Sequence, residues 1–562
     1  MNARPPLVAL AAAVALQAGL SIHAMTGQSA TFDEGAHLPA GYTHLVLGDH
    51  RLNPEQPPLA KLLAAAPLLL ARPVLDTNDR SWREARQWEF GRRFLYRWND
   101  GDRLLFLGRL PIVALASCLV AAVFFEARRR FGPAAAVAAA FLAALSPDVL
   151  AHGSIVTTDL AFSLFFFLAV ARVERALHAP TCRRWVLAGL AAGAALAAKL
   201  SAPILAPVIA AFVLVARVDR RPVGRVALGL AGAGALALAV LWAAYGFAPA
   251  LSPDPAVRSG LRAPLEAVPE AFAARAAVAA ARLGLVPEDY ARGALFVLTH
   301  SEARATFLDG ALSSDGFASY FLFTTLYKTP LPLLALAAAA LLRAPRLRRR
   351  DALFLWMPVA VYLALTFTRG LQIGHRHLLP LAPFVFVAAG EAAAALTASR
   401  ARAARAAVVV LAGWYALGTL RTHPHHLAYF NEIAGGPANG YRHLVDSNLD
   451  WGQDLKRLAG WWRDAGRPPL KLSYFGSADP AYYGIEAQAL PGYSAPHPAR
   501  VTREIARGDL LAVSATNLQG VYLDPEDRPL MDRIRALPPV ARVGYSIFVY
   551  RADFDWPAGA GR

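Results

Sequence analysis

The sequence is poor in charge, in cysteine and in lysine. Of its 562 residues, 17% are Asp, Glu, Lys or Arg and 56% are hydrophobic, whereas soluble domains carry about 25% charged residues. With a mean hydropathy of +0.35, an ordinary soluble enzyme is excluded. The two cysteines, Cys118 in an apolar run and Cys182 in a short basic loop, permit neither a disulfide framework nor a zinc ribbon. Only five of the 57 basic residues are Lys. The rest are Arg, clustered between apolar runs, so the net charge of +17 is accounted for by positive loops retained in the cytoplasm, not by nucleic-acid binding. No internal repeat occurs, and no low-complexity tract beyond Ala-rich helix. The first apolar run follows a single Arg4 and lacks a small-residue cleavage site, so it reads as a retained membrane helix and not as a removed signal peptide.

What is present is a series of apolar stretches long enough to cross about 30 Å of hydrocarbon. They fall near residues 7–24, 104–125, 134–150, 159–177, 185–199, 202–217, 226–248, 319–342, 352–368, 378–397 and 406–421. The expectation is a polytopic α-helical membrane protein of about 11 transmembrane helices. Arg128 to Arg130, Arg183 and Arg184, Arg217 to Arg225, Arg343 to Arg350 and Arg400 to Arg405 fall in alternate loops, which places those loops and the N-terminus in the cytoplasm. The first external loop (25–103) and a second large one (249–318) then face the opposite side. So does the chain after residue 421.

The expected division is a transmembrane domain over 1–421 and a soluble extracytoplasmic α/β domain over 422–562. In the latter, Ser447 or Asn448 is placed to cap a helix running through Trp451 to about Trp462. The segments 470–475, 510–515 and 545–550 have β-type composition.

Chemistry-bearing residues concentrate at the external boundary. Asp33 and Glu34 lie about nine residues beyond the first span, with His37 one helical turn on. A carboxylate at a bilayer surface can take a proton from an acceptor hydroxyl, although such an acid can equally be a solvated loop residue or a helix cap. Asp159 stands at the external end of the fourth span; an ionisable group there is a functional hypothesis by default, with capping its own helix the alternative. Lys199 and Lys328 mark the same boundary and can hold a phosphate or snorkel to headgroups. His300, Arg304, His375, Arg376 and His377 add to a cationic pocket for an anionic headgroup. The HPHH run at 423–426, with Glu432 nearby, matches no zinc spacing and reads as interfacial histidines.

Taken in order, the segments 31–63 with its Asp-Glu pair, 152–167 with TTDL, Lys199, 315–332 ending in KTPLP, 374–380 with RHLLP, and 429–455 with DSNLDWGQDL resemble the GT-C superfamily. The likeness is to the bacterial glycosyltransferase family 39 type, related to protein O-mannosyltransferases and the lipid A aminoarabinose transferase. The resemblance implies a GT-C membrane fold in a bacterial plasma membrane. It also implies transfer of a sugar from a polyprenyl-phosphate-linked donor to an acceptor on the extracytoplasmic face. Asp33 is then the base, with Glu34 and Asp159 as supporting catalytic acids. Lys199, Arg304, His300, Arg376 and Lys328 are the candidates for the donor phosphate, and His37, His375 and Tyr320 for the acceptor or for loop support. A divalent metal ion is optional, held by Glu34 and Asp159 if used. Residues 249–318 show nothing like the trefoil domain of the protein mannosyltransferases, which leaves the acceptor open among glycan, lipid and protein. A transporter or flippase of lipid-linked sugars is the rival reading. It would place its groups near the bilayer midplane, whereas these cluster at one boundary.

Overall fold

A computed structural model describes residues 4–215, 223–248, 272–300, 304–366, 372–498 and 500–557. Helices occupy the expected apolar stretches. Arg4–Thr26 leads into the first loop. Gly101–Ala144 covers the second and third stretches and is broken at Gly132, whose φ of 87° interrupts the helical run just before Pro133. Thr158–His178, Cys182–Ala198, Leu205–Val215, Val223–Ala244, Arg349–Thr366, Ala382–Thr397 and Arg402–Thr422 follow the pattern read from composition. Among the described residues, five helices are long and apolar enough to cross a membrane unaided, or six when one bent pair is counted as a span.

That pair replaces the straight span expected over 319–342. Tyr320–Lys328 and Leu331–Arg343 meet at a bend of 115°. Pro330 supplies no N–H and pushes the preceding Thr329 into an extended conformation, ψ 130°, as the residue before a proline generally is.

The basic segments around Arg130 and Arg350 meet at one end of the bundle. Arg130 bonds Glu174 at 3.0 Å and Asp351 at 2.8 Å, Arg350 pairs with the same Glu174, and Arg175 pairs with Glu126. Glu174 lies fifteen residues from Asp159 on one helix, a rise of about 22 Å. The Asp159 end and the arginine-rich end are therefore opposite poles.

In the first loop, Glu34–Leu47 packs backbone to backbone against Leu59–Ala65: a Cβ on Gly41 would come within 2.2 Å of the Lys61 carbonyl oxygen. Beneath it, Arg109 of the Gly101–Ala144 helix grips Glu34 with a bidentate fork, Nε to Oε1 at 2.8 Å and Nη2 to Oε2 at 2.7 Å. Its remaining donors go to the carbonyls of Met25, Gln28 and Ser29. Both partners are buried. Burial pushes the Glu34 pKa up, but the Arg109 charge and the N–H groups of Thr31 and Val156 outweigh it and leave it lowered.

The tail forms a five-stranded mixed sheet in the order Ala487–Ala489, Leu470–Ser473, Leu510–Ser514, Ile547–Arg551, Ala541–Val543. The first three strands run parallel and the last two pair antiparallel. The three β-type segments lie where composition put them, but the expected helix does not begin at Ser447 or Asn448. Residues Asp446–Asn448 form a single 3-10 turn, and the helix starts at Leu455. The intervening strap docks on the first loop. Phe32 N–H donates to Trp451 O at 2.7 Å, Ser29 N–H to Gln453 O at 3.0 Å, and the Ser29 hydroxyl to Gly452 O at 2.8 Å.

Replacing Arg109 by Ala strands a buried carboxylate, and such a loss costs about 3–5 kcal/mol. Lys cannot reproduce the planar fork. Arg109→Ala and Arg109→Lys are both expected to lower the unfolding temperature in detergent, while Arg109→Met combined with Glu34→Gln recovers much of the loss. Asp450 is buried with no cation beside it among the described residues, and burial raises its pKa to about 8. The folded state thus keeps a proton that the unfolded chain has released, and stability falls as pH rises from about 4 to 8. Asp450→Asn should remove that part of the pH dependence, read as a smaller drop in unfolding temperature between pH 5 and pH 8.

Candidate active site

Four of the expected residues, Asp33, Asp159, Lys199 and Arg376, meet in one ion network. Arg376 lies in the 3-10 segment His375–Leu381 and points its Nη1 at Asp33 Oδ2, 3.3 Å away, and at Asp159 Oδ2, 3.2 Å away. The Lys199 ammonium holds the other Asp159 oxygen. Lys199 reaches it because Cys182–Ala198 ends there: Lys199 is extended at the helix C-terminus. Neither acid uses its side chain as a cap. Asp33 occupies the N-cap position of its helix without a capping bond, and Thr157 holds that position for the Asp159 helix.

The acids differ in access. The Asp159 side chain is 1% exposed and that of Asp33 24%. Among the described contacts Asp33 is tied through Oδ2. Within electrostatic reach of Lys199, Arg376 and Asp159 lies His377, whose Nε2 is buried without a partner.

Arg376 is positioned from the tail. Its Nε donates to Ser447 Oγ at 3.1 Å, and that hydroxyl donates to Ile373 O at 2.7 Å. Its guanidinium lies over the Trp451 ring, 4.3 Å from the centroid, a cation–π contact that is strong when desolvated. His152 packs edge-on against the same indole. Burial lowers its pKa to about 4, so it is a neutral ring at neutral pH. Asn448 braces the loop, its Oδ1 accepting from His375 N–H at 2.8 Å and its amide donating to Tyr320 OH at 3.1 Å.

Other candidates take different places. Glu34 is closed off by Arg109, Thr31 and Val156 and cannot touch a substrate; it anchors the loop that presents Asp33. His37 bonds Val156 O through Nδ1 at 3.0 Å, joining that loop to the turn before Asp159. Lys328 is withdrawn from any phosphate: its ammonium is spent on Leu427 O at 2.8 Å and Asn448 O at 2.6 Å, over the Phe430 ring. The His375 ring sits between Thr324 Oγ1 and Asp148. Arg304 is exposed within electrostatic reach of Asp446 and Tyr522. The His300 side chain lies outside the described residues.

Glu34 and Asp159 do not form a metal site. Their oxygens are occupied by Arg109 on one side and by Lys199 and Arg376 on the other, and among the described residues no three or more His, Cys, Asp or Glu are grouped to hold an ion. The HPHH run makes ring contacts instead, His23 to His423 at 2.6 Å and His423 to His426 at 3.0 Å, while Glu432 accepts from Trp414.

The bundle of apolar helices is that of a multi-pass membrane protein. The family model described as dolichyl-phosphate-mannose-protein mannosyltransferase matches residues 102–245. The apo oligosaccharyltransferase of Archaeoglobus fulgidus superposes over 99% of this chain and 75% of its own, with TM-score 0.52 and 13% identity. The oligosaccharyltransferase AglB of the same organism, in complex with an inhibitory peptide and a dolichol phosphate, gives TM-score 0.50 at 13% identity over the same shares. ArnT from Cupriavidus metallidurans bound to undecaprenyl phosphate gives TM-score 0.49 at 14% identity, covering 96% of this chain and 97% of its own. Curated proteins give no match. The GT-C resemblance drawn from the motifs is borne out.

Ser447→Ala removes the hydroxyl between Arg376 and Ile373, and Trp451→Leu removes the ring under the guanidinium. If the site holds a polyprenyl phosphate, each should weaken its binding about tenfold, and Trp451→Leu, which empties a buried ring position, should also lower the unfolding temperature. Trp451→Phe should recover most of the loss, checked by titration in nanodiscs.

Proposed function

We propose that this protein transfers a sugar from a polyprenyl-phosphate-linked donor to an acceptor on the face where the tail lies, the extracytoplasmic one. The observation that carries the reading is that Asp33 and Asp159, 126 positions apart in sequence, meet on Arg376 at 3.3 and 3.2 Å. A lipid-linked donor keeps its phosphate at headgroup level and its chain in the bilayer, so its enzyme needs cations at that boundary and a base just beyond it. Lys199 and Arg376 supply the cations, and Asp33, the more open acid, supplies the base.

In the reaction, the bond between the anomeric carbon and the phosphate oxygen breaks, and the leaving phosphate keeps the electron pair. Arg376 and Lys199 stabilise the charge that develops there. The acceptor oxygen bonds the anomeric carbon, and its proton passes to Asp33 Oδ1. The products are the glycosylated acceptor and polyprenyl phosphate. The dolichol phosphate held by the AglB complex is support of the same kind, a lipid phosphate on a related fold. A transporter is less well served, because the candidate groups Asp33, Asp159, Lys199 and Arg376 lie together near one pole of the bundle and not at mid-depth.

Removing a general base costs about 10²–10⁴-fold in rate. Asp33→Asn is therefore expected to release polyprenyl phosphate from a native lipid-linked sugar fraction at least 100-fold more slowly than the wild type, by mass spectrometry, while binding the lipid phosphate as well. Release at the wild-type rate would rule out Asp33 as the base, and no release by the wild type from any bacterial lipid-linked sugar fraction would rule out the transfer.

A further inference from the structure

Away from the ion network but at the same pole, the second large loop builds a helical hairpin. Its two helices, Phe272–Arg282 and Glu288–His300, pack through Ala274, Val278 and Leu295. Gly284, at φ 67°, stops the first helix: its N–H donates to Ala281 O at 3.0 Å, and that of Leu285 to Ala280 O at 2.9 Å. This helix end calls for a left-handed residue and so suits glycine. The leucines on either side of it, Leu283 and Leu285, are left 75% and 47% exposed, and Phe272 at the other end 87%. Phe272, Arg275, Ala279 and Leu283 follow at helical spacing on one face, beside the stripe that Ala274 and Val278 turn to the second helix.

That face borders an open groove of about 370 Å³, lined by Arg275, Val278, Ala279, Arg282 and Leu283. Its floor is apolar, and the two arginines stand two helical turns apart, about 10 Å along the axis. Depth decides what such a groove meets. Val286, two residues past Gly284, packs against Ala197, Leu241 and Tyr245, at the ends of Cys182–Ala198 and Val223–Ala244. Tyr290 meets Tyr245 at 6.5 Å between ring centroids. Gly224–Ala244 is long and apolar enough to cross a membrane, and Phe247 just beyond it is 66% exposed. The turn of the hairpin therefore stands level with the end of a span, where hydrocarbon gives way to headgroups.

A helix with exposed Phe and Leu and with arginines at its border is suited to lie in that interface. From this geometry we infer that the groove along Phe272–Arg282 is a lipid site and that it takes an acidic phospholipid of the surrounding leaflet. The acyl chain lies along Val278, Ala279 and Leu283, and the phosphate bonds Arg275 and Arg282. A zwitterionic headgroup carries its own cation and has less to gain from two guanidiniums. The bound lipid braces the ion network from behind. Glu288–His300 is pressed on the first loop, where a Cβ on Gly293 would come within 2.1 Å of Pro54 O. Two residues on, Gln56 Oε1 accepts from the Thr158 hydroxyl at 3.1 Å, next to Asp159.

The test uses the full chain in nanodiscs of phosphatidylcholine and phosphatidylglycerol. Its probes are photoactivatable analogues of these two lipids and of undecaprenyl phosphate, with the labelled peptides mapped by mass spectrometry. The phosphatidylglycerol analogue should label residues 272–285 about tenfold more than the phosphatidylcholine one, and excess undecaprenyl phosphate should not compete. Arg275→Gln combined with Arg282→Gln should abolish that preference at an unchanged unfolding temperature. A nitroxide on Leu283→Cys, in a chain with Cys118→Ser and Cys182→Ser, should collide with dissolved oxygen more often than with a water-soluble nickel chelate. On Val540→Cys, a position 57% exposed on the tail, the order should reverse. The inference is overturned if both phospholipids label the segment equally, if the double variant keeps the preference, or if the nitroxide at 283 favours the nickel chelate. Labelling by the undecaprenyl phosphate analogue in preference to phosphatidylglycerol overturns it as well, since the groove would then serve a polyprenyl lipid.

Discussion

The Arg376 guanidinium is the contact on which the site depends. Two carboxylates from elements far apart in sequence approach one nitrogen, and carboxylates so close repel unless a cation lies between them. With Lys199 on the remaining Asp159 oxygen, two negative and two positive groups balance at a buried boundary where an unpaired charge would be costly. Neither cation is idle in this network, and of the two acids Asp33, held by a single oxygen and more exposed, is the one most readily released.

Much of the frame was legible because its causes are local. Apolar runs of membrane length formed helices, the arginines at 130 and 350 met at one pole, and segments of β-type composition formed the sheet of the tail. The Asp-Glu pair, Asp159, Lys199 and Arg376 could be picked out because charge at a water–lipid boundary is expensive wherever it is kept. The break at Thr329–Pro330 was also written in the sequence, as KTPLP, but the hydropathy of the stretch concealed it.

The roles assigned to Glu34 and Lys328 were not legible, since each depends on a partner far away in the chain. Adjacent acids look equivalent in sequence, yet one turn of backbone sends Asp33 to Arg376 and Glu34 to Arg109. The useful signal was Arg109 itself, a lone cation inside an apolar span and therefore in need of a buried acid. Lys328 lies at the right depth for a phosphate, but two tail carbonyls take its ammonium. DSNLDWGQDL showed its density of small polar groups around a tryptophan, but nothing in it announced that Ser447 and Trp451 turn back to hold an arginine seventy residues upstream.

That strap explains why the helical bundle and the five-stranded sheet are joined so closely. The segment carrying Arg376 is a 3-10 turn opening on Gly374, and a Cβ on that glycine would lie 2.3 Å from Ser447 Oγ, so the strap and the arginine loop are fitted to each other. A 3-10 turn holds its side chains less firmly than an α-helix because its hydrogen bonds are poorer. The missing rigidity is supplied from outside, by Asn448 on the His375 N–H, Ser447 on Nε and the Trp451 ring beneath the guanidinium. The same strap bonds the backbone of residues 29–32, just before Asp33. Asp33 and the Arg376 guanidinium beside it are thus fixed against one segment.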